Sequence, residues 1–219
     1  MGYDSVVLAS ASVRRSLLLA QIGVRHRAVA ADLDEEPHPN EKADDYVRRL
    51  ARDKAQVVLD FLGGRPVCPV LAADTTVVLD GRIFGKPTNE ADCVAMLSAL
   101  SGRRHEVLTA IALQVDGEIR SAMSASRVTF RAIGGDECRR YWASGEPAGK
   151  AGAYAIQGLG AVFVASLEGS FSGVMGLPLY QTAALLDAAG IQRWQDVNSR
   201  NAAAAALVQL AKPLSDSRA

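Results

Sequence analysis

Residues 106–131 read EVLTAIALQVDGEIRSAMSASRVTFR, and in this stretch two apolar runs flank the dipeptide Asp116-Gly117. An Asp-Gly pair between such runs is typical of a tight hairpin turn, because both residues accept a positive φ. The stretch therefore predicts a long β-hairpin with strands over residues 106–115 and 119–131. A hairpin of this length interrupts strict alternation of strand and helix, so we expect a mixed sheet rather than a regular, doubly wound one.

Outside the hairpin, short strand patterns alternate with helical patterns along the chain. Strands are predicted over residues 6–9, 25–30, 68–73, 75–79, 160–167 and 171–175. Helices are predicted from a serine cap (Ser10 or Ser12) to residue 21, from the cap Thr88 to residue 102, and over residues 44–61, 136–143 and 178–189. This order predicts an α/β protein of two lobes that share one sheet, with a cleft between them.

We assign residues 1–190 to one domain of two lobes, since no proline- or serine-rich linker divides the chain. Beyond Gly190 the pattern is lost. Residues 191–219 are therefore predicted to form a C-terminal tail that is partly helical, over residues 202–210.

The composition excludes several classes of protein. With 24 Lys and Arg against 24 Asp and Glu, the 219-residue chain has no net charge to hold a nucleic acid or an anionic membrane. The N-terminus forms no signal-peptide core, and no apolar run approaches the ~20 residues of a membrane span. Three widely spaced cysteines argue against disulfides and fit a reducing cytoplasm. We expect a cytoplasmic protein without nucleic-acid or membrane partners.

Familiar nucleotide-binding motifs are absent from the sequence. Residues 81–87, GRIFGKP, have one residue too few for a phosphate-binding P-loop, and Gly158-Leu159-Gly160 lacks the third glycine of a dinucleotide fingerprint. The three histidines have no metal-ligand spacing, so we interpret them as surface or structural residues.

Residues 10–15, SASVRR, place two arginines at a predicted helix N-terminus, where backbone N–H groups already favour an anion. Arg14 and Arg15 could bind phosphate, or they could be a solvated pair beside a capped helix. Lys54 lies on the apolar stripe of its helix, between Leu50 and Val58. A lysine there either snorkels to the rim of the core or points into a cleft to meet a phosphate.

Asp74 interrupts the apolar residues 71–78, where burial of an unpaired carboxylate would be costly. It is either a capping or turn residue, or a metal ligand or general base. Lys86 and Glu35, taken alone, suit solvated loops. Together, two arginines, two lysines and two carboxylates are the residues that a polyphosphate substrate with Mg²⁺ requires, because Mg²⁺ takes one or two carboxylates plus phosphate oxygens.

Six segments, in this order, resemble the signature segments of the Maf family of nucleoside triphosphate pyrophosphatases. They are residues 8–15 (LASASVRR), 50–55 (LARDKA), 73–78 (ADTTVV), 85–87 (GKP), 150–158 (KAGAYAIQG) and 174–179 (VMGLPL). The fifth segment resembles the branch that hydrolyses dTTP and UTP rather than the branch that acts on 7-methyl-GTP. One departure is Val13, which stands where the family usually has proline.

The resemblance implies a Maf/ITPase-like fold, an elongated mixed β-sheet flanked by helices, and usually a homodimer. It implies that Asp74 is the catalytic acid/base carboxylate and that Glu35 belongs to the polar residues lining the cleft. We expect Glu35 and Asp74 to hold a divalent cation, Mg²⁺ or Mn²⁺. The substrate-binding positions that it implies are Ser10, Arg14, Arg15, Lys54, Thr75, Lys86 and Gln157.

The activity implied is hydrolysis of dTTP and UTP to the monophosphate and pyrophosphate, which clears surplus or noncanonical nucleotides. Two alternatives are a 7-methyl-GTP pyrophosphatase and a nucleotide-binding regulator of septum formation without turnover. For Gln157 the alternative to base selection is a local hydrogen bond to the backbone of its turn.

Overall fold

The hairpin predicted from residues 106–131 forms the middle of a mixed sheet. The computed structural model describes residues 2–64 and 68–195, and within them the sheet has seven strands. In chain order the strands are β1 (Ser5–Ala9), β2 (Arg25–Val29), β3 (Val70–Leu79), β4 (Arg82–Phe84), β5 (Arg104–Val115), β6 (Glu118–Phe130) and β7 (Val164–Glu168). The helices are α1 (Val13–Gln21), α2 (Ala43–Phe61), α3 (Glu90–Leu100), α4 (Gly135–Ala143), α5 (Phe171–Met175) and α6 (Leu179–Ala188).

The strand order is β2-β1-β3-β5-β6-β7, with β4 paired to β3 outside this path. Strand β1 runs parallel to β2 and β3, whereas the pairs β3–β4, β3–β5, β5–β6 and β6–β7 are antiparallel. The predicted α/β fold with a mixed sheet flanked by helices is therefore confirmed.

One edge of β3 is shared by two strands that do not meet. Strand β1 pairs with it up to Ala9 opposite Ala72, and β4 pairs with it only from Phe84 opposite Val77. Strand β5 occupies the opposite edge without a break. The edge of β3 over residues 73–76 consequently has no neighbour among the described strands, and we call this gap the β3 notch.

The core is organised around the two faces of β3, because successive side chains of a strand alternate between faces. On one face, its apolar even-numbered residues pack with α2. On the other face, Leu71 and Ala73 pack with α1 and α6, whereas Val77 and Leu79 pack with α3 and α4. On this second face, Thr75 separates the group around Leu71 and Ala73 from the group around Val77 and Leu79. The apolar packing is therefore interrupted beside the β3 notch.

The structure corrects two predictions for β3 and α3. Strand β3 continues through Asp74 instead of breaking into two strands there, because the carboxylate has a buried cationic partner, Lys54. Helix α3 is capped by Asn89 rather than by Thr88, since the Asn89 side chain accepts a 2.9 Å hydrogen bond from the N–H of Asp92.

Two predicted strands near the C-terminal end are also wrong in part. Residues 171–175 form the short helix α5, because the Ser170 hydroxyl caps it by accepting a 2.9 Å hydrogen bond from the N–H of Gly173. The strand predicted over residues 160–167 is a 3₁₀ turn, Leu159–Phe163, followed by β7.

Residues 191–195 contact the segments on either side of β1 and α1. Ile191 forms an isolated bridge with Tyr3 and is 3% exposed, and the N–H of Trp194 donates to the carbonyl of Ile22 at 2.9 Å. The helix predicted over residues 202–210 lies outside the described residues. Among those that are described, no helix combines the length and apolar character needed to cross a membrane.

His105 is a buried structural histidine beside the cleft. It is 2% exposed, and its Nε2 lies 3.0 Å from the hydroxyl of Tyr154. The imidazole packs edge-on against Phe130 with ring centroids 4.7 Å apart. Burial lowers the pKa of His105 to about 4.

We predict that His105 contributes to loss of stability in acid. Between pH 6.5 and pH 4 the unfolded chain binds a proton at this histidine that the folded protein does not, so the free energy of unfolding falls as the pH is lowered. The loss from this group is roughly 3 kcal/mol over the window. In His105→Gln, which can still bond Tyr154, denaturant titrations from pH 7 to pH 4 should give a correspondingly flatter curve.

The matched control is His38→Gln. His38 is exposed, so this substitution removes a histidine but leaves the buried His105 in place. Parallel curves of unfolding free energy against pH for wild type and His105→Gln would show that His105 is not held neutral by the fold.

Candidate active site

A cavity of about 1020 Å³ opens at the β3 notch. Its walls come from the turn after β1, the loop that carries Glu35, helix α2, strand β3, the segment after β4 and residues 148–157. All nine predicted site residues border this one cavity: Ser10, Arg14, Arg15, Glu35, Lys54, Asp74, Thr75, Lys86 and Gln157. The sheet topology thus brings together residues that are far apart in sequence.

Lys54 lies between two carboxylates at the centre of the cavity. Its Nζ is 2.6 Å from Oδ1 of Asp74 and 2.7 Å from Oε1 of Glu35. The second oxygen of Glu35 accepts a hydrogen bond from Nζ of Lys86. Lys54 is 6% exposed, so it points into the cleft and does not snorkel to solvent.

The two carboxylates that share Lys54 are affected in opposite directions by their surroundings. Burial raises the pKa of Asp74, although the charges of Lys54 and Arg15 oppose this rise. Burial also favours the neutral form of Glu35, but its hydrogen bonds with Lys54 and Lys86 outweigh that effect and lower its pKa to about 2. The deeper position of Asp74 accounts for the difference. Asp74 is therefore the better proton acceptor of the pair.

Arg15 is held rigidly by neutral acceptors. Its guanidinium donates to the carbonyl of Gly176 at 2.8 Å, to the Ser10 hydroxyl at 3.2 Å and to the Thr75 hydroxyl at 3.3 Å. The Thr109 hydroxyl lies 3.0 Å from that of Thr75. Burial lowers the pKa of Arg15, although the nearby charges of Asp74 and Glu35 oppose this fall. Ser10 and Thr75 therefore fix the arginine at the cavity wall.

Arg14 and Lys150 add further positive charge to the same wall. Arg14 donates from Nε to the carbonyl of Met175 at 3.3 Å, and Nζ of Lys150 donates to the carbonyl of Ala148 at 3.1 Å. Burial lowers the pKa of both side chains, and the charge of Arg14 lowers that of Lys150 further. Within residues 2–64 and 68–195, neither of them nor Arg15 forms a salt bridge. The cavity therefore carries a local positive charge that suits an anionic ligand.

Lys150 was not among the candidates from the sequence. It opens segment 150–158, which carried the family resemblance, but neither spacing nor periodicity separates it from a solvated loop lysine. Gln157, in the same segment, is exposed at the cavity and makes no hydrogen bond with another described residue. The alternative in which Gln157 bonds its own turn is therefore not observed.

The donor set fits a magnesium ion that is held mainly by phosphate. Glu35 and Asp74 both lie within hydrogen-bond distance of the Lys54 ammonium, so the two carboxylates are close together at the cavity. No group of three or more acidic, histidine or cysteine side chains able to hold a metal occurs in the described part of the chain. Mg²⁺ commonly takes one or two carboxylates and completes its shell with water and phosphate oxygens.

We predict that Lys54→Met destabilises the protein, because it leaves the carboxylate of Asp74 buried without its partner. Loss of one member of a buried pair costs about 3 kcal/mol or more. The second change in Lys54→Met/Asp74→Asn should restore most of this loss, since the buried charge is then gone. Without Lys54 the Asp74 pKa rises further, so the deficit of Lys54→Met should shrink as the pH is lowered. Urea titrations at pH 7 and pH 5 measure both effects.

The control is Lys42→Met, which changes an exposed lysine at the start of the same helix and should alter stability by less than about 0.5 kcal/mol. Equal stability of Lys54→Met and wild type would mean that the Lys54–Asp74 pair is not buried as described.

Comparisons with known proteins identify the family of the chain. A family model described as Maf-like protein matches residues 5–189. A dTTP/UTP pyrophosphatase of Bordetella parapertussis is 56% identical over 190 residues, which cover 84% of this chain and 92% of that protein. A protein of the same name from Methylococcus capsulatus is 52% identical, and the match covers 85% of this chain and 91% of that protein. Another from Hahella chejuensis is 48% identical, and the match covers 89% of this chain and 97% of that protein.

The structure of the Staphylococcus aureus Ham1 protein aligns with 57% of this chain, and the alignment covers 71% of the Ham1 chain. The sequence identity is 16% and the TM-score is 0.37, a likeness too weak to support an argument. The family model, in contrast, spans the sheet, the β3 notch and every predicted site residue. On that match and the identity of these relatives, the chain belongs to the Maf family.

Proposed function

We propose that this protein hydrolyses dTTP and UTP to the nucleoside monophosphate and pyrophosphate, and so removes surplus or noncanonical nucleotides. The observation that carries the proposal is the division of charge in the cavity. A proton acceptor, Asp74, is paired with Lys54, while Arg14, Arg15 and Lys150 form no salt bridge with any residue that the structure describes. Relatives that are 48–56% identical are named dTTP/UTP pyrophosphatase, which supports this substrate class.

In the proposed reaction, water attacks the α-phosphorus. A bond forms between the water oxygen and this phosphorus, the bond to the bridging oxygen of the β-phosphate breaks, and pyrophosphate leaves. Lys54 donates to Oδ1 of Asp74 and so orients the carboxylate, which takes the proton of the water at Oδ2. Because burial raises the Asp74 pKa, this carboxylate holds a proton better than an exposed aspartate does.

The basic residues bind and orient the triphosphate. Arg15 is already immobilised by three hydrogen bonds, so little side-chain freedom is lost when it meets phosphate oxygens. Arg14 and Lys150 supply charge on the same wall, and a rigid cationic wall stabilises negative charge that develops on the leaving pyrophosphate. Lys86 forms a salt bridge with Glu35 at the same cavity.

The proposal also covers the metal cofactor, the oligomeric state and the cellular location of the protein. Glu35 and Asp74 would hold Mg²⁺ or Mn²⁺ together with the substrate. When bound, such an ion neutralises charge on phosphate oxygens and makes water more acidic. A homodimer in the cytoplasm, without nucleic-acid or membrane partners, completes the proposal. No specific observation favours 7-methyl-GTP as the substrate or a role without turnover.

We predict that dTTP and UTP give the monophosphate and pyrophosphate in equal amounts, without a nucleoside diphosphate. Asp74→Asn should lower kcat/KM by at least about 10²-fold, because it removes the proton acceptor at almost constant volume. Nucleotide products separated by anion-exchange chromatography, together with a pyrophosphate assay, test both statements.

Asp80→Asn is the control for this substitution. Asp80 is an exposed turn residue with a φ of 51°, a conformation that asparagine also accepts, and its change should leave turnover intact. Release of orthophosphate through dTDP would reject the proposed reaction, and undiminished turnover by Asp74→Asn would reject the role of Asp74.

We also predict that Gln157 selects the base. Its free amide offers a donor and an acceptor, which match the N3–H and a carbonyl of thymine or uracil. Gln157→Leu should reduce kcat/KM for dTTP and UTP by about 10-fold or more relative to CTP, GTP and 7-methyl-GTP, because the base then leaves polar groups unpaired. Initial rates on the five nucleotides give the ranking.

Gln56→Leu provides the comparison, since Gln56 is exposed on α2 and bonds Asp60 of the same helix. An unchanged ranking in Gln157→Leu would remove Gln157 from base selection, and a wild-type preference for 7-methyl-GTP would place the protein in the other branch of the family.

A further inference from the structure

Glu146 is a hub of hydrogen bonds just outside the cavity. Its Oε1 accepts from the Tyr141 hydroxyl at 2.7 Å and from the N–H of Gly160 at 2.9 Å. Its Oε2 accepts from the N–H of Leu159 at 2.9 Å. One side chain therefore satisfies two successive backbone donors at the start of the 3₁₀ turn Leu159–Phe163, and these donors come directly after the segment that carries Gln157.

Tyr141 extends the same network to the other side of Gln157. Its hydroxyl donates to Glu146 and accepts a hydrogen bond from the N–H of Ala155 at 3.0 Å. The Tyr141 ring packs edge-on against Phe163, with centroids 5.0 Å apart. The backbone is thus held two residues before Gln157 and two residues after it, by groups that belong to α4 and the turn that follows it.

The glycines on either side of Leu159 leave room for this network. A Cβ on Gly158 would lie 2.1 Å from Oε2 of Glu146, and a Cβ on Gly160 would lie 2.7 Å from the Tyr141 hydroxyl. Both distances are far below van der Waals contact. The Gly-Leu-Gly sequence, which does not fit a dinucleotide fingerprint, therefore allows the carboxylate and the phenol to approach the backbone closely.

A carboxylate is well suited to this position, and an amide would be a poor substitute. Glu146 accepts three hydrogen bonds on two oxygens. In a glutamine one of the two terminal atoms becomes an NH₂ group, which cannot accept a bond from a backbone N–H. At least one backbone N–H of the turn would then lose its partner, and the backbone beside Gln157 would become less fixed.

We propose that Glu146 is a positioning residue for base selection, which acts by fixing the backbone on both sides of Gln157 through its own bonds and those of Tyr141. The inference rests on the proposed function, because it assumes that Gln157 reads a pyrimidine base. Glu146 itself does not border the cavity, so it acts through Gln157 and not by contact with substrate.

The test is a double-mutant cycle of wild type, Glu146→Gln, Gln157→Leu and the double variant. The selectivity, defined as kcat/KM for dTTP divided by kcat/KM for CTP, should fall about 10-fold in Glu146→Gln, while kcat for dTTP changes by less than about 3-fold. In the Gln157→Leu background, Glu146→Gln should change the selectivity no further. Amide hydrogen exchange of Leu159 and Gly160 in the ligand-free protein should be faster in Glu146→Gln.

Glu137→Gln is the matched control, because Glu137 lies on α4 and bonds the Arg131 guanidinium away from the cavity. It should keep the wild-type selectivity. If Glu146→Gln fails to fold, Tyr141→Phe keeps the ring contact and removes the bonds to Glu146 and Ala155, and selectivity should fall in the same direction.

The outcomes separate this inference from the proposed function. Wild-type selectivity that is unchanged in folded Glu146→Gln overturns the role of Glu146 alone. The role of Glu146 is also overturned if Glu146→Gln lowers the selectivity equally in the wild-type and the Gln157→Leu backgrounds, because Glu146 would then act by another route. A wild-type enzyme that does not distinguish dTTP from CTP overturns both proposals.

Discussion

The buried ion pair between Lys54 and Asp74 is the interaction on which the site depends. Two ionised side chains at 5–6% exposure would each be costly alone, and each makes the other tolerable at 2.6 Å. The pair lets β3 run through its centre with a carboxylate on the face that packs against α2. It also places a proton acceptor at the floor of the cavity, where Glu35 and Lys86 complete a charge-balanced cluster.

The position of this pair follows from how the sheet is connected. Strands β1 and β4 both pair with one edge of β3 and leave residues 73–76 uncovered between them. The N–H of Val7 donates to the carbonyl of Pro69, and backbone groups alternate between the edges of a strand, so the N–H and C=O of Thr75 point towards this gap. The β3 notch therefore offers backbone polar groups as well as side chains to a ligand.

Much of the architecture could be predicted from local pattern, because the hairpin and the amphipathic α2 have clear periods. The break at Asp74 was predicted wrongly, since the partner that makes the carboxylate acceptable lies twenty residues earlier and on another element. The position of Lys54 on an apolar stripe left open whether the lysine snorkels to the rim of the core or points into the cleft, and the structure shows the second. Lys150 and Glu146 could not be found in this way, because their surroundings arise only when α4 and residues 150–160 pack together.

The balance of charge across the cavity connects the fold with the proposed chemistry. On one side, Lys54 and Lys86 are neutralised by two carboxylates. On the other, the acceptors of Arg15 among the described residues are neutral oxygens, and Arg14 and Lys150 border the same cavity. A triphosphate is attracted to the unpaired cations, so it does not need to break the Lys54–Asp74 pair in order to bind. The carboxylate consequently keeps its orientation and remains available for the role of proton acceptor that we propose for it.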